Sequence, residues 1–77
     1  MGKNKVDFSS LKDSWPSDLV ARTEIGTFTG GLISEKSMAN RDSLHIGVPN
    51  RVRVGRKIAY RIDDLIAWLE ARSQQLS

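Results

Sequence analysis

The amino-acid sequence predicts a small α+β domain, and three features of the chain indicate this fold class. Gly30-Gly31 leads into a polar stretch, residues 34–42, that has the composition of a short surface helix. Val52-Arg53-Val54 alternates apolar and basic side chains before Gly55, and Ile58-Ala59-Tyr60 follows, which is typical of two short strands joined by a turn. Residues 62–69 repeat apolar side chains at intervals of three and four, as an amphipathic helix does.

The composition limits the kinds of cross-link, metal site and membrane segment that this chain can have. The chain has 77 residues, no cysteine and one histidine, so disulfides and thiolate metal sites are excluded and a reducing cytoplasm is the expected compartment. No apolar run approaches the length of a membrane span, and the first five residues lack the apolar stretch of a signal peptide. We expect a mobile arm over residues 1–14, one folded domain over residues 15–72, a frayed tail over residues 73–77, and no membrane contact.

A first helix is predicted over residues 21–28, after Trp15-Pro16 has ended the arm. Ile25 and Phe28 are three residues apart and would share one helical face. Gly26 would weaken this helix, and we expect the close approach of another backbone to account for it.

The second predicted helix follows the glycine pair. Gly30 and Gly31 can adopt positive φ angles at no steric cost, which lets the chain reverse before Ser34 caps the new helix. Met38 and Ala39 are the apolar residues that turn away from its polar arc. The arc contains Lys36, Ser37, Asn40 and Arg41. Because so little of this helix is apolar, we expect its exposed side chains to carry a function.

The side chains of this arc fit two alternatives. A polar helix face is most often merely solvated. The same residue types also recognise nucleic acids, since Arg and Lys pair with phosphates or guanine and Asn pairs with adenine in the major groove. In the second interpretation Asn40 and Arg41 read bases. The helix alone does not decide between the two.

Positive charge is concentrated in the segment that follows. The chain has a net charge of +3, and no acidic residue lies between Asp42 and Asp63. Five of the twelve basic residues fall in that interval: Arg51, Arg53, Arg56, Lys57 and Arg61. A local block of cations suits an anionic polymer.

The same segment is predicted to form a hairpin, with strands at 52–54 and 58–60 and a turn at Gly55-Arg56-Lys57. Its packed face is expected to carry Val52, Val54, Ile58 and Tyr60. A hairpin this small persists only when it packs on helices. Its basic tip would lie along a phosphate backbone or in a minor groove, with Arg53, Arg56 and Lys57 as the contacts.

The last predicted element is an amphipathic helix. Its apolar stripe consists of Ile62, Leu65, Ile66 and Leu69, and Trp68 widens it. Asp63 and Asp64 lie in its first turn and Arg72 near its end, where each charge is favourable to the helix dipole. The predicted fold is thus a small winged helix-turn-helix, with two short helices, a two-stranded basic hairpin as the wing, and a C-terminal amphipathic helix.

The hairpin and the last helix carry a motif that resembles a known family. Val52-Arg53-Val54-Gly55-Arg56-Lys57, then Tyr60-Arg61 and Asp64-Leu65-Ile66-Ala67-Trp68-Leu69, are similar to the ending of the AlpA-like and excisionase-like small DNA-binding proteins. The winged helix-turn-helix of that family is related to the DNA-binding domain of the MerR regulators. The resemblance covers about residues 19–72. Ala21, where the family often has a capping Ser or Thr, and Gly26 depart from its pattern.

The resemblance implies non-catalytic, sequence-specific binding of double-stranded DNA. The implied role is either prophage transcription regulation or DNA recombination, as an excisionase that directs an integrase. Lys36, Ser37, Asn40 and Arg41 would then face the major groove, and Arg53, Arg56 and Lys57 would be wing contacts. Because so small a monomer covers little DNA, cooperative self-association on repeated sites is expected.

An enzyme is not expected. One histidine, no cysteine and no phosphate-binding glycine motif leave no nucleophile and base to assemble, and no cofactor site is predicted. His45 lies in a predicted loop, where it is either solvated or in contact with phosphate. The remaining alternative is a protein-interaction module, whose basic hairpin or exposed helix binds an integrase, a repressor or another acidic partner.

Overall fold

The computed structural model describes residues 7–74 and 76, which form a small α+β structure. The four α-helices of this part of the chain are α1 (Ser10–Asp13), α2 (Ile25–Phe28), α3 (Glu35–Ser43) and α4 (Ile62–Ala71). The strands are β1 (Leu19–Ala21), β2 (Val52–Val54) and β3 (Lys57–Arg61). A 3-10 turn, Arg22–Glu24, joins β1 to α2. The predicted α+β class is confirmed.

The three strands form one antiparallel sheet in the order β1-β3-β2. The predicted hairpin is confirmed, and because Val54 pairs with Lys57 its turn consists of Gly55 and Arg56. Gly55 has a φ of 63°, which glycine adopts without steric cost. β1 is an addition to the predicted fold and pairs with the other edge of β3.

The predicted helix over residues 21–28 is wrong at its start. Ala21 is the last residue of β1, where it pairs with Ala59, and helical backbone begins with the 3-10 turn at Arg22. Pairing with β3 satisfies backbone groups of this segment, and local helix propensity cannot compete with that long-range contact. α2 itself is a single helical turn that buries Ile25 and Phe28 as expected.

The register of the sheet corrects the predicted packed face of the hairpin. Because side chains alternate along a strand, Ile58 and Tyr60 lie on one side of the sheet and Val52 and Val54 on the other. Tyr60 is fully buried, whereas Val54 is 65% exposed. The inner side therefore carries Val20, Ile58 and Tyr60, and the valines of β2 lie on the outer side.

The core lies between the inner side of the sheet and helices α2, α3 and α4. Its buried apolar residues are Val20, Ile25, Phe28, Met38, Val48, Tyr60, Ile62, Leu65, Ile66 and Leu69. The four predicted stripe residues of α4 are all among them, and Trp68 is half-buried beside them. Trp15 closes one edge, packing edge to face on Phe28 with 5.2 Å between the ring centroids.

The N-terminal segment is packed where a mobile arm is predicted. α1 lies against α4, and Phe8 and Leu11 pack on the core. The Phe8 amide donates a hydrogen bond of 2.8 Å to Glu70 Oε2. The structure therefore differs from the prediction over residues 7–14, while residues 1–6 of the predicted arm lie outside the described part of the chain.

The glycine turn before α3 has the predicted form. Gly30 and Gly31 have φ angles of 66° and 89°. The Gly31 amide donates a hydrogen bond of 2.7 Å to the Gly26 carbonyl, which closes the end of α2. The expected close approach of another backbone to Gly26 is wrong. A Cβ at Gly26 would approach only the Ile33 carbonyl oxygen, at 4.0 Å.

α4 follows β3 directly and ends at Ala71, with Arg72 as its C-cap. Residues 73, 74 and 76 lie beyond the helix, and residues 75 and 77 of the predicted tail are outside the described part of the chain. Among the described residues, no helix is long and apolar enough to cross a bilayer.

Candidate nucleic-acid interface

α3 begins and is anchored as its sequence predicts. Ser34 is extended, with φ −92° and ψ 162°, and its Oγ accepts a hydrogen bond of 3.1 Å from the Ser37 amide. Met38 is fully buried and attaches the helix to the core. Lys36 and Asn40 each lie two residues from Met38, on the opposite side of the helix, and both are exposed. These two residues of the predicted arc are presented to solvent.

The other two residues of the arc are engaged within the protein. The Ser37 hydroxyl accepts a hydrogen bond of 3.1 Å from the Ser34 hydroxyl. Arg41 is half-buried, and its Cζ lies 5.9 Å from the centroid of the Trp68 ring on α4. Arg41 Nε is buried and has no hydrogen-bond partner among the described residues. The structure thus brings Arg41 to α4 and away from the exposed face of α3.

The basic residues predicted at the hairpin are exposed, and within the described residues none of them forms an ion pair: Arg53, Arg56 and Lys57. They do not form a single cluster. Arg53 pairs with Ile58 and shares the inner side of the sheet, whereas Lys57 pairs with Val54 and shares the outer side. Cations on both sides of a narrow ribbon suit contact with a phosphate backbone.

A groove of about 400 Å³ joins the start of α3 to the hairpin turn. Arg56 and Lys57 line it from the hairpin, and Thr23 and Glu35 line it from the 3-10 turn and the first residue of α3. The groove therefore unites the helix and two of the hairpin cations in one surface. The Glu35 carboxylate lies among them and lowers the positive potential of the groove.

Two buried polar side chains, Asp42 and Tyr60, and the half-buried Arg22 fix α3 to the rest of the fold. Asp42, which is 3% exposed, accepts two hydrogen bonds of 2.6 Å at Oδ2, one from the Tyr60 hydroxyl and one from Arg22. Arg22 Nε also donates to the Tyr60 hydroxyl, at 3.1 Å. Burial raises the pKa of Tyr60 to about 12, and its hydrogen bond to the Asp42 carboxylate acts in the same direction. The network joins α3 to the 3-10 turn and to β3.

The position of Asp42 within α3 is the sequence signal for this network. Asp42 lies four residues after Met38, so both occupy the core-facing side of α3. A carboxylate in that position requires buried partners. Tyr60 and Arg22 become recognisable as those partners only once the sheet register places them beside α3.

The loop after α3 is shaped around the same carboxylate. A Cβ at Gly47 would overlap Asp42 Oδ1 and would lie 3.3 Å from the Asp42 amide nitrogen. Glycine therefore permits the loop to cross Asp42 closely. His45 is exposed in this loop with a φ of 61°, and Val48 is buried and anchors it.

Within the described residues, no group of three or more His, Cys, Asp or Glu side chains is arranged to hold a metal ion. Comparisons with protein-family models, characterised proteins and solved structures gave no significant match. The resemblance to the AlpA-like and excisionase-like proteins therefore stays a prediction.

Proposed function

We propose that this protein binds double-stranded DNA as a winged helix-turn-helix. In this proposal α3 is the recognition helix, and the hairpin formed by β2 and β3 is a wing that lies along the phosphate backbone or in a minor groove. The observation that carries the proposal is the groove in which the start of α3 meets Arg56 and Lys57. A helix face that is merely solvated gives no reason for the basic hairpin beside it, whose cations form no ion pair among the described residues.

The exposed residues divide into two roles. Asn40 and Lys36 are assigned to base edges and the adjoining phosphates, because both are exposed on the outward side of α3. Arg53, Arg56 and Lys57 have no carboxylate partner among the described residues and are assigned to the backbone. Replacing Asn40 by Ala should relax sequence preference at a cost of roughly 1–3 kcal/mol, whereas replacing Arg56 by Ala should weaken all sequences alike.

The biological output follows from the resemblance and not from the geometry. DNA binding of this kind without catalysis serves either an excisionase, which directs an integrase in recombination, or a prophage regulator of transcription. Cooperative binding of several copies to repeated sites would enlarge the small footprint of one monomer.

The test is a titration of the purified protein against random-sequence duplex DNA at two salt concentrations. An Arg53/Arg56/Lys57 triple alanine variant is compared with the single variant Arg61→Ala, which removes one exposed cation from the outer side of the sheet. Salt-sensitive binding that the triple variant loses and Arg61→Ala retains would support the proposal. A folded protein that fails to bind even at low salt would contradict it.

A second candidate function is protein binding, and the outer side of the sheet favours it. Val54 is 65% exposed there and Leu19 is 36% exposed, with Lys57 and Arg61 beside them. An integrase, a repressor or another acidic partner could dock on such a surface. Binding of this kind would depend on Val54 and would not extend to random duplex DNA.

A further inference from the structure

Two arginines share one indole ring at the end of α3 that lies away from the hairpin. The Cζ of Arg72 is 4.5 Å from the centroid of the Trp68 ring, and the Cζ of Arg41 is 5.9 Å from it. The Ile46 carbonyl accepts hydrogen bonds from Trp68 Nε1, at 3.2 Å, and from Arg72, at 3.0 Å. The loop after α3 therefore holds the ring and Arg72 in place.

Within the part of the chain that the structure describes, no carboxylate neutralises the charge of this pair. Neither Arg41 nor Arg72 forms an ion pair within the described residues. Arg41 Nε is buried without a hydrogen-bond partner in that part of the chain. The Trp68 ring and the C-terminal end of α4 attract the two cations, but neither of them satisfies the guanidinium donors as an anion would. Two guanidinium groups that share one ring, and that have no carboxylate partner among the described residues, favour an oxyanion as the ligand of this surface.

The position of the pair relative to the hairpin indicates which anion. α3 has nine residues and is therefore about 13.5 Å long. The groove beside Arg56 lies at the first residue of α3, and the Trp68 pair lies near the last turn. The major groove, whose two edges are phosphate backbones, is about 12 Å wide. The two basic sites at the two ends of α3 are therefore separated by about the distance between the two phosphate backbones that border the major groove.

We propose that Arg41, Trp68 and Arg72 form a second phosphate-binding site, which holds the DNA backbone at the end of α3 opposite the hairpin. This inference rests on the proposed DNA-binding function. It assigns Arg41 to a phosphate in place of a base, and it adds Arg72 of α4, a helix that otherwise serves the core. Trp68 orients both guanidinium groups.

The experiment measures the affinity of the full chain for random-sequence duplex DNA as a function of salt concentration, with three single variants. Arg72→Gln removes the cation, and Arg72→Lys keeps a positive charge. Arg61→Gln is the control, because it also removes one positive charge, but from the outer side of the sheet. Arg72→Gln should flatten the slope of log affinity against log salt by about 0.9, which is about an eightfold loss at roughly 0.1 M salt. Arg72→Lys should keep most of the slope, and Arg61→Gln should behave as the native chain.

Thermal unfolding of each variant separates a change of affinity from a loss of fold. A weaker affinity of Arg72→Gln with an unchanged salt slope would mean that Arg72 only supports the loop, and it would overturn the inference. If the native chain binds DNA and Arg72→Gln matches Arg61→Gln, the second phosphate site is wrong while the proposed function stands. If the native chain does not bind DNA at low salt, both proposals fail.

Discussion

The Tyr60 hydroxyl donates a hydrogen bond of 2.6 Å to Asp42 Oδ2, and this contact joins the central strand of the sheet to α3. Both residues are buried, and Arg22 bonds to both of them. The same strand continues into the hairpin turn. The relative placement of the exposed face of α3 and the hairpin therefore depends on a buried carboxylate and its two donors.

Replacing Tyr60 by Phe should lower the free energy of unfolding by about 1–3 kcal/mol, because the Asp42 carboxylate and Arg22 each lose a buried partner. Urea denaturation of the native and variant proteins measures this difference. Ile58→Val, which trims the neighbouring inner position and leaves the network intact, is the control for packing loss. A Tyr60→Phe variant as stable as the native chain would show that the network does not hold α3.

Tyr60 should titrate above the usual range of a tyrosine. Its folded-state pKa is about 12 against an ordinary value of 10.0, because burial disfavours the tyrosinate. The stability that this shift contributes is therefore fully present below about pH 10 and is lost as the pH rises towards 12. Tyr60 is the one tyrosine of the chain, so its ultraviolet absorbance reports the ionisation directly. A midpoint at the ordinary value while the protein remains folded would contradict the buried hydrogen bond.

Gly47 and Gly26 should respond in opposite ways to replacement by Ala. At Gly47 the new Cβ would overlap Asp42 Oδ1, and we expect a loss of roughly 1–3 kcal/mol. At Gly26 the Cβ meets only the Ile33 carbonyl oxygen at 4.0 Å, so helix propensity should raise stability by about 0.5–1 kcal/mol. Thermal unfolding measures both changes. Equal effects of the two substitutions would be inconsistent with the path of the loop over Asp42.

Replacing Glu35 by Gln should strengthen binding to duplex DNA by about two- to fivefold at low salt, because an exposed charge that repels phosphate is removed from the groove. Fluorescence anisotropy of labelled DNA measures the affinity. Glu24→Gln is the matched control, since Glu24 is also exposed and does not line that groove. A similar gain in both variants would indicate an effect of net charge alone.

The elements that the sequence predicts correctly are those with local signals. Gly30 and Gly31, the Ser34 cap and the apolar spacing of Leu65 and Leu69 place two helices without knowledge of the fold. Gly55, which follows the alternating apolar and basic residues 52–54, similarly locates the hairpin.

The structural features that the sequence does not predict depend on long-range pairing. β1 is three residues long and is extended only because β3 pairs with it. The outer position of Val54 follows from the register, which residue types on one strand do not fix. Arg41 appears on the polar arc of an isolated helix, yet it reaches Trp68 because α4 packs nearby. The tertiary structure therefore determines which residues of the candidate site are exposed and which contact other parts of the protein.

The most direct test of DNA binding by α3 and the hairpin is nuclear magnetic resonance mapping of the backbone amides as random-sequence duplex DNA is added to the native protein. If α3 and the hairpin bind DNA, the shifts should concentrate on the exposed side of α3, around Lys36 and Asn40, and on the hairpin turn at Arg56. The outer side of the sheet at Leu19 and Ala59 should change little. Shifts centred on that outer side, or a spectrum that DNA leaves unchanged at low salt, would contradict DNA binding by α3 and the hairpin.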